Sequence, residues 1–447
     1  MTYAKLYALA SALVLALGFA PDLRAQAVEP QPEVIRLDHL SVDDMLEIAG
    51  RLVDSGRYTE AQALLDRLAT DSRGGVERDF LDGMIALARK DYAKAERLFR
   101  AILAGDPSLV RVRLELARTL FLAKRDEQAD YQFRLAIADT PPDAVIRNIA
   151  RYREAIRARR AWRFNFNLAF APDTNINSAT SKQTVELLGL PFRLNDSARA
   201  RSGVGLIVGG DASVRLRRFS TVPLYLEAYG QVVRYGNHRF DDVYVGGEAG
   251  PEFRLSGGRL RAAATAFQRW YGGEPLDTSL GARLHFDKIV GGKLGLEAAL
   301  ALRHDDYARG SDLDSWNVEV SLSANRALSR STVGFTYAAL RRSFAGDPGY
   351  SNWNARIGAG AIREIGWGLR PQLVFEVGRQ WHDAPLGLFG RTRRDWTLQS
   401  SASIYKRDWN LAGFAPSVRL SWSRTLSTIS LYDQKRLRTE FGITKVF

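Results

Sequence analysis

The sequence changes period at Trp162, and that change limits what the chain can fold into. Up to Ala161 the apolar residues recur as on a helix. From there Trp162, Phe164, Phe166, Leu168 and Phe170 share one face of an extended segment, and Arg163, Asn165, Asn167 and Ala169 share the other. Alternation at every second residue is the signature of a strand. Pro172, Asp173, Asn175 and Asn177 end it with turn chemistry. The same alternation recurs about fourteen times before Phe447.

Three further segments show the pattern plainly. Leu294, Leu296, Ala298, Leu300 and Leu302 oppose Lys293, Gly295, Glu297 and Arg303. Trp316, Val318, Val320 and Leu322 oppose Asn317, Glu319, Ser321, Ser323 and Asn325. Leu224, Leu226 and Ala228 oppose Tyr225, Glu227, Tyr229 and Gln231. A soluble sandwich rarely needs so many strands of this length. A membrane barrel does, with the apolar face toward lipid and the polar face toward the lumen. We therefore expect a transmembrane antiparallel β-barrel of about fourteen strands over residues 162–447.

The connections fit. Six read as short, near Arg217, Gly257, Gly291, Ser329, Gly366 and Asp408. Seven alternate with them and read as longer or richer in Asp, Gly and Pro, around 174–198, 236–241, 271–276, 306–312, 344–351, 382–391 and 425–433. Short turns on one side and long loops on the other are the habit of outer-membrane barrels, the short side being periplasmic. Trp270, Tyr271, Trp316, Trp353, Trp381 and Trp396 near strand ends suit interfacial girdles. A terminal Phe447 on the last strand resembles the closing signal read by the barrel assembly machinery, although Lys445 departs from the usual apolar residue two places earlier.

Upstream, Lys5, the uncharged apolar run Leu6–Ala20, and Ala25 with Ala27 predict a signal peptide over 1–27, cleaved before Val28. A run this short suits a signal better than a bilayer-spanning helix, which needs roughly 20 residues. Residues 28–40, with Pro30 and Pro32, read as a leader. A repeat of 34 residues fills 41–161: Ala61, Ala95 and Ala129 are in phase, as are Leu65, Phe99 and Phe133, and Ala49, Gly83 and Ala117. Pro107 and Pro141 close the second and third units. The period resembles that of tetratricopeptide repeats. Such an array serves either as a docking surface or as a spacer or plug supporting the barrel. The basic segment Arg147–Arg163 reads as a capping helix whose arginines meet lipid headgroups or solvent.

Composition narrows function. With no cysteine, disulfides and thiolate metal sites are excluded. A formal charge of +13 on an exported chain points to anionic lipid or an acidic partner, not nucleic acid. No enzyme constellation is present, and no cofactor or metal is expected. Four of the five histidines lie in the barrel half, and His304 with Asp305 and Asp306 lacks further converging ligands. Gly203, Gly205 and Gly209 lie inside a strand and are packing glycines, not a phosphate loop. Glu227, Glu297, Glu319, Glu376, Arg261 and Arg303 either line a charged passage or pair across the lumen. The polar turn Asp173–Asn177 belongs to the first external loop or the barrel seam, or simply ends the strand.

Here the chain resembles the surface lipoprotein assembly modulators (Slam family). The resemblance lies in an exported chain, a short repeat domain before a barrel, and the stretch Phe170, Ala171, Pro172, Asp173, Thr174, Asn175, Ile176, Asn177. It implies a monomeric outer-membrane translocator with a periplasmic N-terminal domain. Its client would be a surface lipoprotein or a small secreted protein. The alternative is a polysaccharide-export porin with tetratricopeptide repeats.

Overall fold

The computed structural model describes residues 40–445 apart from 69–74, 139–140, 160–161, 188, 217–221, 256, 408 and 410–413. The expected signal, almost all of the leader, Phe447 and the turn at Arg217 lie outside the described residues.

Seven helices come first: α1 (Val42–Asp54), α2 (Tyr58–Leu68), α3 (Gly75–Ala88), α4 (Tyr92–Gly105), α5 (Val110–Leu122), α6 (Asp126–Ala136) and α7 (Asp143–Arg159). They form three helix pairs and a cap. The 34-residue phase has a physical reading in the coordinates. Ala61, Ala95 and Ala129 are fully buried where paired helices approach, and Phe99 and Phe133 fill the seams beside them. Gly83 sits under Phe99, where a Cβ would lie 2.6 Å from the ring. Backbone phase agrees: Gly56, Lys90 and Lys124 all take positive φ at the turn between the two helices of a unit. The basic capping helix stops at Arg159, and strand structure starts at Trp162. Its Arg153 does not face lipid: it is buried and reaches Asp130 at 2.6 Å.

Fourteen strands then close an antiparallel barrel in chain order. They are β1 (Trp162–Asp173), β4 (Gly203–Leu216), β5 (Leu224–Tyr235), β6 (Asp242–Leu255), β7 (Gly258–Tyr271), β8 (Glu274–Val290) and β9 (Leu294–Tyr307). The ring continues through β10 (Ser315–Ser329), β11 (Thr332–Ala345), β12 (Asn352–Arg363), β13 (Leu369–Leu386), β14 (Arg391–Lys406), β15 (Phe414–Ser427) and β16 (Gln434–Lys445). The remaining two strands, β2 (Thr184–Leu187) and β3 (Leu190–Arg193), form a separate hairpin within the first external loop.

The outer wall is the apolar half of each alternation. Leu300, Leu302, Val320, Leu322, Leu373, Phe375, Leu420 and Phe441 are all exposed, as a lipid-facing band requires. Trp316, Trp353 and Trp396 lie outward near the loop end, and Trp162, Trp367 and Trp409 lie exposed at the turn end. Among the described residues no helix is long and apolar enough to cross a membrane.

Two of the seven external connections are shorter than their composition suggests. The segment 271–276 is a two-residue turn, Gly272–Gly273, with φ of +62° and +85°. Strand β13 runs on to Leu386 through an irregularity between Trp381 and Pro385, so only 387–390 remain as a connection. Glycine and proline marked a tight turn and a bulge here, not loop length.

The helices pack on the short-turn side. Arg153 donates to the Gly292 carbonyl at 3.2 Å, and Leu135 and Tyr131 bury against Val333. The Arg370 guanidinium stacks 4.0 Å over the Tyr131 ring. The repeat domain therefore covers the periplasmic mouth.

Candidate site: seam, plug and lumen

Strand β1 has two edges, and they differ. Toward β4 every residue from Trp162 to Asp173 is in register, ending with Asp173 opposite Gly203. Toward β16 pairs run from Asn167–Thr444 to Phe170–Phe441, are missing at Ala171 and Pro172, and return once, in the same register, at Asp173–Arg438. Pro172 has no N–H to give a ladder. The described part of β16 ends at Lys445, so the pairs that can be read on this edge start at Asn167. This is the seam where the two ends of the barrel sequence meet. It survives on close backbone approach: a Cβ on Gly442 would lie 2.1 Å from the Leu168 carbonyl oxygen.

Side chains make good the lapse. Asp173, whose side chain has 0% exposure, accepts from Arg436 Nε at 3.0 and 2.9 Å and from Arg436 Nη2. Tyr235 on β5 hydroxyl-bonds the same carboxylate at 3.4 Å. The Thr174 amide donates to the Leu437 carbonyl at 3.0 Å, and the Leu437 amide donates back to Thr174 Oγ1 at 2.8 Å. Asn175 Nδ2 donates to the carbonyls of Ala179 and Lys435, and Thr180 Oγ1 donates to the Ser430 carbonyl. Asn177 ties the loop to itself, donating to the Arg199 carbonyl and accepting from the Arg201 amide. The Asx turn is present too, with the Asn175 amide donating to Asp173 at 2.9 Å. The polar turn thus ends the strand and clasps the seam at its extracellular end.

The loop also plugs. Ile176 tucks among Ala169, Ala171, Ile207, Val233 and Tyr235 on the inner wall. Gly203 and Gly205 make room for it and for Tyr235, since Cβ atoms there would lie 3.0 Å from Ile176 and 2.8 Å from the Tyr235 ring. Of the motif, Phe170 alone points outward as a large apolar group, exposed to the lipid band.

Beneath this plug lies a cavity of about 1200 Å³. Barrel residues Asn165, Asn167, Glu227, Arg261, Glu297 and Glu440 line it, and Asp126, Asp130, Arg134 and Arg153 of α6 and α7 close its periplasmic end. Its charges are mostly paired. Arg261 reaches Glu248 at 2.8 Å and lies 3.4 Å over the Tyr225 ring. Outside this cavity, elsewhere in the barrel, Arg303 pairs with Asp305 at 2.6 Å, Arg356 lies 3.5 Å from Glu319, and Tyr337 donates to Glu376 at 2.7 Å. Glu227 accepts from Tyr225 and lies 3.7 Å from Arg163. Five of the six lumen charges singled out in the sequence, Glu227, Glu319, Glu376, Arg261 and Arg303, find partners outside the six that alternation alone does not reveal.

His304 and Asp305 fall on opposite faces. His304 lies 4.9 Å from the Trp316 ring, while Asp305 accepts from Asn317 in the wall. Among the described residues no group of three possible metal ligands converges. Sequence reading missed Arg436 and Tyr235, which hold Asp173 from strands 263 and 62 residues away. The available signal was Arg436 and Arg438 on one face of the last strand, facing the same way as Asp173, the single acid of the first.

A fourteen-strand barrel with a lipid-facing band, girdles at both ends and a helical-repeat domain across its short-turn mouth is an outer-membrane protein with a periplasmic N-terminal domain. Residues 162–447 match the family model described as surface lipoprotein assembly modifier, and residues 76–133 match its N-terminal TPR repeats. The chain belongs to the surface lipoprotein assembly modifier family, whose members are transport proteins, not enzymes. It is 25% identical to surface lipoprotein assembly modifier 1 of Neisseria meningitidis serogroup B over 82% of this chain and 75% of that one. It is 23% identical to the surface lipoprotein assembly modifier of Moraxella catarrhalis over 89% of this chain and 80% of that one. The hemophilin secretion modulator of Acinetobacter baumannii is 23% identical over 53% of this chain and 51% of that one.

Proposed function

We propose that this protein delivers a specific client, a surface lipoprotein or a small secreted protein, across the outer membrane, and that the client leaves through the β1–β16 seam. The relatives' names supply the two client classes. The seam carries the route: it is paired in register over a short stretch, and otherwise held by side chains. A fourteen-strand lumen is too narrow for a folded domain. The cavity here is plugged above by Ile176 and crossed by ion pairs. An unfolded segment entering beside α6 and α7 meets the periplasmic end of β1 first. The repeats over 41–161 engage the client and the barrel over 162–447 passes it; residues 1–27 direct export and 28–40 form a leader. Outer-membrane lipid surrounds the barrel, Phe447 carries the closing signal for the assembly machinery, and the protein works as a monomer.

Deleting residues 41–150 tests this reading. The barrel should still fold, shown by heat-modifiable migration, while the client accumulates in the periplasm. Normal client display from the truncated chain contradicts it. Loss of an exported polymer with normal display of every surface lipoprotein and secreted partner would instead mark a polysaccharide exporter.

A further inference from the structure

Glu364, on the periplasmic turn between β12 and β13, reaches out of the barrel into the helical domain. Gln132 Nε2 of α6 donates to it at 2.9 Å, Arg100 of α4 lies 3.5 Å away and Arg113 of α5 lies 4.0 Å away. Arg407, on the neighbouring barrel turn, pairs with it directly. Three helices thus build a basic socket around one carboxylate supplied by the barrel.

The two halves of this contact are not equivalent. If the domains part, Glu364 keeps Arg407. Arg113 keeps no acid: its side chain is 4% exposed, its other partners are Gln132 Oε1 at 2.8 Å and the Pro107 carbonyl at 3.0 Å, and among the described residues Glu364 is the one carboxylate within 4.0 Å of it. Arg100 differs, since Glu96 stays with it at 2.8 Å. A buried cation stripped of its counter-charge is costly. Burial already pulls the Arg113 guanidinium below its ordinary range. Burial pushes the Glu364 carboxyl up, but Arg407, Arg100 and Gln132 outweigh it and hold the group below an ordinary glutamate. The barrel side releases easily, then, whereas the helical side needs a replacement carboxylate.

We propose that the Arg100–Arg113–Gln132 socket is a binding site for an acidic segment of the client, and that Glu364 occupies it in the resting protein. Arrival of the client exchanges one carboxylate for another and frees the repeat domain from the barrel mouth. This rests on the translocator reading above and names the chemistry of its client.

The test uses the full chain in lipid nanodiscs, a fluorescein-labelled oligoglutamate peptide as probe and an oligoglutamine peptide as control. Because the chain has no cysteine, spin labels at R89C and W367C report the distance between helices and barrel. Oligoglutamate should bind and lengthen that distance, and oligoglutamine should do neither. E364Q removes the internal competitor and should tighten peptide binding about tenfold, since apparent affinity scales with the fraction of sites open. R113Q should abolish binding. Q132E, which places a carboxylate in the socket without removing the arginines, should abolish it in a chain that still folds. Equal affinity in wild type, E364Q and Q132E would place binding on general surface charge and overturn the proposal. So would no binding to E364Q. Client display after deletion of 41–150 is read separately, so the socket can fail while the translocator reading stands.

Discussion

The two edges of β1 are made of the same twelve residues and yet are held by different physics. The β4 edge is a continuous backbone ladder. The β16 edge is a short ladder, a proline gap and a polar clasp. In lipid an unpaired backbone group costs several kcal/mol, so a continuous ladder stays shut. A clasp of side chains reaching a loop and a neighbouring strand is different. It sits at the extracellular rim, near water, and its parts can exchange partners. The comparison teaches that a barrel can be closed everywhere by its backbone and still keep one joint whose strength is set by a few residues.

Breaking the clasp should have the largest effect. Asp173→Ala strips Arg436 of its bidentate partner and leaves a half-buried cation facing Tyr235. Removing one partner of a buried pair costs about 3–5 kcal/mol. The urea midpoint of the barrel should fall accordingly, and protease should enter first at 174–180. An unchanged midpoint would mean the seam does not depend on the clasp.

Gly442→Ala should come next. Its Cβ meets the Leu168 backbone, which cannot move without parting the strands. Overpacking of this kind costs about 1–3 kcal/mol. Gly209→Ala, on the other edge, meets the tip of the Asn167 side chain at 2.9 Å and no backbone atom closer than 3.5 Å, and should cost less. Equal losses at the two glycines would mean that the Leu168 backbone yields without parting the strands. Thermal unfolding in detergent reads both.

Asn177→Ala should have the smallest effect. It removes two hydrogen bonds within the first loop and none to β16. Each is worth about 1 kcal/mol. Amide exchange should rise at Arg201 while β16 stays protected; faster exchange along β16 would mean that the loop's internal order also sets the seam.

These contrasts also show what a sequence can and cannot carry. Leu294–Arg303 and Trp316–Asn325 declare their faces because the strand period is local, and Ala61, Ala95 and Ala129 declare the repeat for the same reason. The motif Phe170–Asn177 was visible as a polar turn of unusual composition. Its task was not, because Arg436, Lys435 and Leu437 lie at the far end of the chain and meet it only after thirteen other strands have been laid down. The Glu364 socket was hidden likewise: nothing near Glu364 in sequence distinguishes it from any charged turn residue, and its partners Arg100, Arg113 and Gln132 sit at helical positions that read as ordinary surface. At Gly272–Gly273 and at Pro385 composition located the connection but not its length, because glycine and proline mark a change of direction, not a distance.

The central claim is that the client leaves between β1 and β16. A disulfide across each edge tests it in one experiment. Asn167 faces Thr444 across the seam, and Ala169 faces Ile207 across the β4 edge. With no native cysteine, N167C/T444C and A169C/I207C each form one bond. The account predicts that the oxidised seam pair folds, inserts and fails to display its client, that reductant restores display, and that the β4-edge pair displays throughout. Normal display from the oxidised seam pair would contradict it.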